Sequence, residues 1–166
     1  RDTDTQAPGW TGWRREPPVL PGAHPHSGRH TPTPTEFSDA LLDLVVPALP
    51  WSLRDIRVAV RRWLAAVGAA PSAIADLLVA VGEACTNAVE HAYGPGGGTV
   101  TVHLELQLPD VLASVRDTGR WRLPRGENRG RGTLFMRNCS DDLRIDHGPT
   151  GTNVVIRRCL AERVSL

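Results

Sequence analysis

Gly82-Glu83-Ala84-Cys85-Thr86-Asn87-Ala88-Val89-Glu90-His91-Ala92-Tyr93 decides how the rest of this 166-residue chain is read. At ~100° per residue, Ile74, Leu77, Val81, Cys85, Ala88 and Ala92 share one arc of a helix. Glu83, Asn87, Glu90 and His91 fall on the other side. Glu83, Asn87 and His91 recur at i, i+4 and i+8, so they stack along one face. A carboxylate, a carboxamide and an imidazole in line above a buried stripe can serve a metal–phosphate site. A solvated polar face gives the same spacing, and only the flanking sequence separates the two readings.

Upstream, Pro71-Ser72 opens this helix, and Gly68 closes an earlier one. The earlier helix carries Leu53, Ile56, Val60, Trp63, Leu64 and Val67 at helical spacing, with Ser52 as its expected N-cap. Leu41–Val46 reads as a first strand ended by Pro47 and Pro50. Downstream, Gly94-Pro95-Gly96-Gly97-Gly98 is a turn. Thr99–Leu106 alternates with period two and is a strand with one buried face. Pro109-Asp110 turns the chain into a further strand, Val111–Asp117. The polar stretch 119–132 is rich in Arg and Gly, lacks periodicity and ends in Gly130-Arg131-Gly132. A short helix over 133–139 and two strands, 142–146 and 152–157, hinged at 148–151, complete the domain. This order predicts an α+β two-layer sandwich: a mixed β-sheet with about three helices on one face.

Residues 1–38 differ in kind. They hold seven of the 14 prolines and three of the six histidines, and are read as a proline-rich linker or tail, largely disordered. Trp10 and Trp13 are unusual in such a segment. The folded domain is expected over 39–162.

Composition excludes several chemistries. All 19 basic residues are arginine, so a Walker A loop and a eukaryotic-type kinase, which need lysine, cannot be present. A net charge of +1 points to no nucleic-acid partner. No run long enough to cross a membrane is expected, and no secretory pattern opens the chain. Its start at Arg1 rather than Met is read as that of a fragment. Cys85, Cys139 and Cys159 form no CxxC pair and suit reduced thiols in a cytoplasmic protein.

Four pieces stand in an order that means more than any one of them. Glu83-x-x-x-Asn87 lies on a helix, Asp117-x-Gly119 at a strand end, Gly130-Arg131-Gly132 before a helix, and Gly151-Thr152 at a strand start. An Asp at a strand end can accept a hydrogen bond from an adenine amino group, and Gly119 lets the backbone approach the base. A glycine loop before a helix presents N–H groups to phosphate. Asn87 offers a hard oxygen to Mg²⁺, and Glu83 can accept a proton from an attacking hydroxyl.

That order resembles the GHKL ATPase and kinase superfamily, with its N, G1 and G2 boxes. The string Glu83 to Tyr93, with Asp117-Thr118-Gly119, Gly130 to Met136, Ser140-Asp141 and Gly151-Thr152, resembles the bacterial anti-sigma-factor serine kinases over roughly residues 40–160. The resemblance implies the histidine-kinase-like ATPase fold and an ATP site. In it Glu83 is the catalytic base, Asn87 holds Mg²⁺ and Asp117 reads adenine. Gly119, Gly130, Gly132, Thr133 and Thr152 shape the pocket, Arg129 and Arg131 lie in the lid, and His91 lies at the pocket wall. Trp121 stands where the family's G1 box carries a second glycine.

The activity so implied is ATP-dependent serine/threonine phosphorylation of a STAS-type anti-anti-sigma protein, regulating a sigma factor. The alternative is an anti-sigma module that binds its partner without catalysis. The family commonly forms homodimers and is often fused to sensor and phosphatase domains, so a larger multidomain chain is expected.

Overall fold

The computed structural model describes residues 36–38, 40–91, 97–119 and 131–162, with only the backbone of 36–38 and of His91. The chain divides into two units, Arg1–His30 and Thr31–Leu166. The first lies outside the described residues, and with it most of the expected tail, including Trp10 and Trp13. Trp121, Arg129 and Gly130 lie outside them too.

The described elements are, in order, β1 (Glu36–Ser38), β2 (Leu41–Pro47), α1 (Ser52–Ala66), α2 (Pro71–His91), β3 (Thr99–Gln107), β4 (Asp110–Asp117), α3 (Arg131–Asn138), β5 (Asp142–Gly148) and β6 (Gly151–Cys159). The strands form one sheet in the order β1-β2-β3-β4-β6-β5. The α+β layering is as the sequence predicts, but the sheet is not mixed: every described pairing is antiparallel. Two helices join β2 to β3, and that connection returns the chain on the neighbouring position in the reverse direction. β1 falls within the stretch read as tail.

Register explains the core. In an antiparallel sheet, directly paired residues share a face. Leu42, Leu104, Ala113, Ile156 and Leu143 form one row, and Leu44, Val102, Val115, Val154 and Ile145 the next. These rows are buried or packed against the buried cluster. On the other face Asp43, His103, Ser114, Arg116 and Asn153 are half-buried or exposed. The helices therefore cover one face: α2 lies against β3, β4 and β6, α1 against β2, and α3 against β5.

α2 buries Leu77, Val81, Ala84, Cys85 and Ala88 against this sheet. Pro71–Glu90 is, by length and composition alone, apolar enough to cross a membrane, contrary to the expectation of no such run. Core packing accounts for its apolarity. Burying one Leu of this kind contributes ~1.5–3 kcal/mol.

Local chemistry sets the helix ends. Gly68 (φ +76°) closes α1 as expected: its N–H donates to the Ala65 carbonyl, and that of Ala69 to Leu64, a Schellman pattern. The N-cap differs from expectation. Trp51 holds that position without a side-chain bond, and Ser52 is buried at the first helical position. The entering N–H groups of Ser52, Leu53 and Arg54 are satisfied instead by the carbonyls of Leu49, Pro50 and Trp51.

Candidate functional site

The third inward row of the sheet ends in a charge. Val46 pairs with Val100 and Val100 with Asp117, so the carboxylate of Asp117 stands where a core side chain would continue the row. It is 5% exposed. Its Oδ1 accepts the N–H of Gly119 at 3.0 Å and that of Thr152 at 3.3 Å. Burial raises its pKa above the usual carboxylate range, and the two N–H bonds and nearby His147 oppose that rise.

α2 supplies the second component. Glu83 and Asn87 are half-buried, one turn apart, on the side of α2 that faces α3. Gly132, in the first turn of α3, packs directly on them. A Cβ there would stand 3.0 Å from Glu83 Oε2 and 3.7–3.8 Å from the Asn87 carboxamide. The glycine permits the N-terminus of α3, whose first N–H groups have no acceptor within the helix, to sit beside a carboxylate and a carboxamide.

The two components meet in one cavity of about 50 Å³, lined by Asn87, Asp117, Thr133, Met136, His147 and Thr152 among others. That is room for a few water molecules, not for a purine. Glu83 is not on this lining. It borders a larger cavity, of about 390 Å³, between α1 and α2, as do Arg54 and Arg57.

The fit to a metal is specific in kind. Among the described residues no three His, Cys, Asp or Glu side chains cluster as a self-sufficient metal site. One carboxylate and one carboxamide beside a helix N-terminus suit Mg²⁺, which completes its shell with phosphate oxygens and water rather than an all-protein cage.

The structure thus brings Glu83, Asn87 and Gly132 together, and separately Asn87, Asp117, Thr133 and Thr152, with Gly119 bonded to Asp117. Arg131 is exposed at the start of α3 and does not line the cavity. Arg129, Gly130 and the His91 side chain lie outside the described residues. Cys85 is buried on the far side of α2, where desolvation pushes its thiol to about 12, so it is no nucleophile.

Comparison with known proteins now bears on these parts. An anti-sigma F factor of Bacillus licheniformis is 30% identical over 125 residues, covering 66% of this chain and 86% of that protein. A serine-protein kinase RsbW of Bacillus pumilus is 42% identical over 82 residues, 48% of this chain and 51% of that one. A family model described as the histidine kinase-like ATPase domain matches residues 46–158. The chain belongs to the anti-sigma kinase branch of the histidine kinase-like ATPase family. A solved structure similar to this chain contains the RsbU and RsbW domains of a Mycobacterium tuberculosis protein. It has a TM-score of 0.62 and 32% identity, and the match covers 74% of this chain and 33% of that one. The chain therefore spans about a third of the length of that neighbour.

The sequence reading missed His147 as a member of the site and took Gly151 only with Thr152, at a strand start. His147 lines the cavity, pairs with Thr152 across the β5–β6 hairpin and brings Nδ1 to 3.4 Å from Thr152 Oγ1. Gly151 brings β6 against the end of β4. The signal for His147 lay in the symmetry of the turn. Once Pro149-Thr150 is its tip, residues 147 and 152 must face each other.

Proposed function

We propose that this domain is an ATP-dependent protein serine/threonine kinase of the anti-sigma type. It acts in the cytoplasm on a STAS-type anti-anti-sigma protein, thereby regulates a sigma factor, and works as one domain of a longer regulator. The observation that carries the reading is the packing of Gly132 on Glu83 and Asn87, beside the cavity that Asn87 shares with Asp117.

Each residue then has a task. Asp117, with Oδ1 held by two backbone N–H groups, accepts the adenine amino group through its other oxygen. The first turn of α3 presents N–H groups to the phosphates, and Arg129 and Arg131 add positive charge over them. Asn87 ligates Mg²⁺, which when bound offsets charge on the transferring phosphoryl group. Glu83 takes the proton of the acceptor hydroxyl as its oxygen bonds to the γ-phosphorus and the bond to the ADP oxygen breaks. Admitting a purine requires the 50 Å³ cavity to widen.

The test is transfer of label from γ-labelled ATP to a STAS-type acceptor with Mg²⁺. Wild type labels a serine or threonine. Glu83→Ala loses ~10²-fold or more in rate, while ATP affinity stays within about threefold because a lost base removes no ground-state contact. Undiminished transfer by the variant contradicts the role of Glu83. The second reading, a partner-binding module without catalysis, is favoured by the small cavity. Mg²⁺-dependent ATP binding would count against it.

A further inference from the structure

Arg158, on β6, carries a guanidinium buried inside the domain, 1% exposed. Its Nε donates to Asp76 Oδ2 of α2 at 3.0 Å. Its Nη1 donates to the Cys159 carbonyl at 2.7 Å and stands 3.5 Å from Asp141 Oδ2. Nη2 is buried and has no hydrogen-bond partner among the described residues. Asp141, in the turn that follows α3, accepts the Cys159 N–H at 2.6 Å and donates its own N–H to the Arg157 carbonyl at 2.8 Å.

A buried cation that is not fully bonded is an expensive core residue, and an apolar side chain of similar volume often serves stability as well. What it provides here is orientation. Asp76 precedes Glu83 by seven residues and Asn87 by eleven. At ~100° per residue these fall within about 20° on either side of the line through Asp76. Asp76 therefore stands on the same line of α2 as the polar stripe, about 10 Å before Glu83. A bond on that line opposes rotation of α2 about its axis. Asp141 fixes the exit of α3, whose first turn carries Gly132. One guanidinium thus ties down both helices whose approach forms the site, from the end remote from it.

We propose that Arg158 is a positioning residue for phosphoryl transfer: held between Asp76 and Asp141, it sets α2 and α3 so that Glu83 and Asn87 face Gly132. This rests on the kinase reading above. Lysine can keep the charge but cannot span both carboxylates with a planar fork.

The experiment compares wild type with Arg158→Lys, Asp76→Asn and Asp141→Asn. ATP titrations are run in excess Mg²⁺ and in EDTA, and folding is read by circular dichroism and thermal melting. Wild type should show a Mg²⁺-dependent gain in ATP affinity. In a folded Arg158→Lys or Asp76→Asn variant that gain should fall about tenfold, with affinity in EDTA within about twofold of wild type. A folded variant that keeps the full Mg²⁺ gain overturns the proposal. Loss of folding in all three variants also overturns it, since Arg158 is then a structural strut only. A wild-type domain without Mg²⁺ dependence instead defeats the kinase reading itself, a result distinct from either.

Discussion

Gly151 lies so close to Asp117 that a Cβ on it would overlap the Asp117 carbonyl oxygen and stand 2.8 Å from its carbonyl carbon. Its φ of +125° is also a conformation that side chains disfavour. Both constraints act on the same peptide, and the next residue, Thr152, donates its N–H to Asp117 Oδ1. Gly151→Ala should therefore destabilise the fold by about 3 kcal/mol or more and weaken nucleotide binding with it. A shift in the urea midpoint at unchanged m-value measures the first effect. A variant as stable as wild type would refute this account of the β4–β6 contact.

Gly132→Ala should separate stability from activity. Alanine is favoured over glycine inside a helix by roughly 1 kcal/mol, so α3 gains. The new methyl stands 3.0 Å from Glu83 Oε2, the mobile end of a side chain, which swings aside. The expected variant is as stable as wild type or more so, yet transfers phosphate about tenfold more slowly, since small displacements of a positioned group are costly. Thermal melting and single-turnover transfer, measured on one preparation, check both halves.

Asp117 gives the pH dependence. Its folded pKa is raised, chiefly by burial, so the native state holds that proton more tightly than the unfolded chain. The contribution of Asp117 to stability is therefore greatest below the ordinary carboxylate pKa and is lost as pH rises through the raised value. The adenine recognition proposed for Asp117 runs the other way, because it needs the carboxylate. On acidification, ATP affinity should begin to fall at a higher pH than an ordinary Asp would dictate. Asp117→Asn should remove this profile, leave stability at pH 7 unchanged or higher, and cost about tenfold or more in affinity.

Thiol labelling tests the packing of α2. Cys85 is buried and its thiol is pushed up to about 12, whereas Cys139 and Cys159 are half-buried. Native protein at pH 8 should leave Cys85 unlabelled by a thiolate-seeking reagent, and labelling at that residue should follow global unfolding. Rapid native labelling of Cys85 would contradict the helix orientation.

The sequence made α2 legible because its two faces differ in chemistry over five turns, and each turn repeats the same signal. β3 was legible for the same reason at period two, and β4 and β6 as apolar runs set off by turn residues. Strand direction was not: periodicity says which face a residue takes, never where a two-helix connection lands. β1 spans three residues beside a proline-rich stretch, too short to show a period. Ser52 has the chemistry of a cap, but the cap position went to Trp51 because the preceding turn already satisfies the first N–H groups. Glu83, Asn87 and Asp117 could be found as motifs. His147 could be placed only by pairing residues across the turn at Pro149-Thr150, and Arg158 not at all, because it acquires its place only from partners on other elements.

The most direct test of the nucleotide site is ATP titration with and without Mg²⁺ on wild type and Asn87→Ala. The account predicts binding that Mg²⁺ strengthens in wild type, and a Mg²⁺ effect abolished in the folded variant. ATP binding that is absent in well-folded wild type, or equally Mg²⁺-dependent in both proteins, would contradict it.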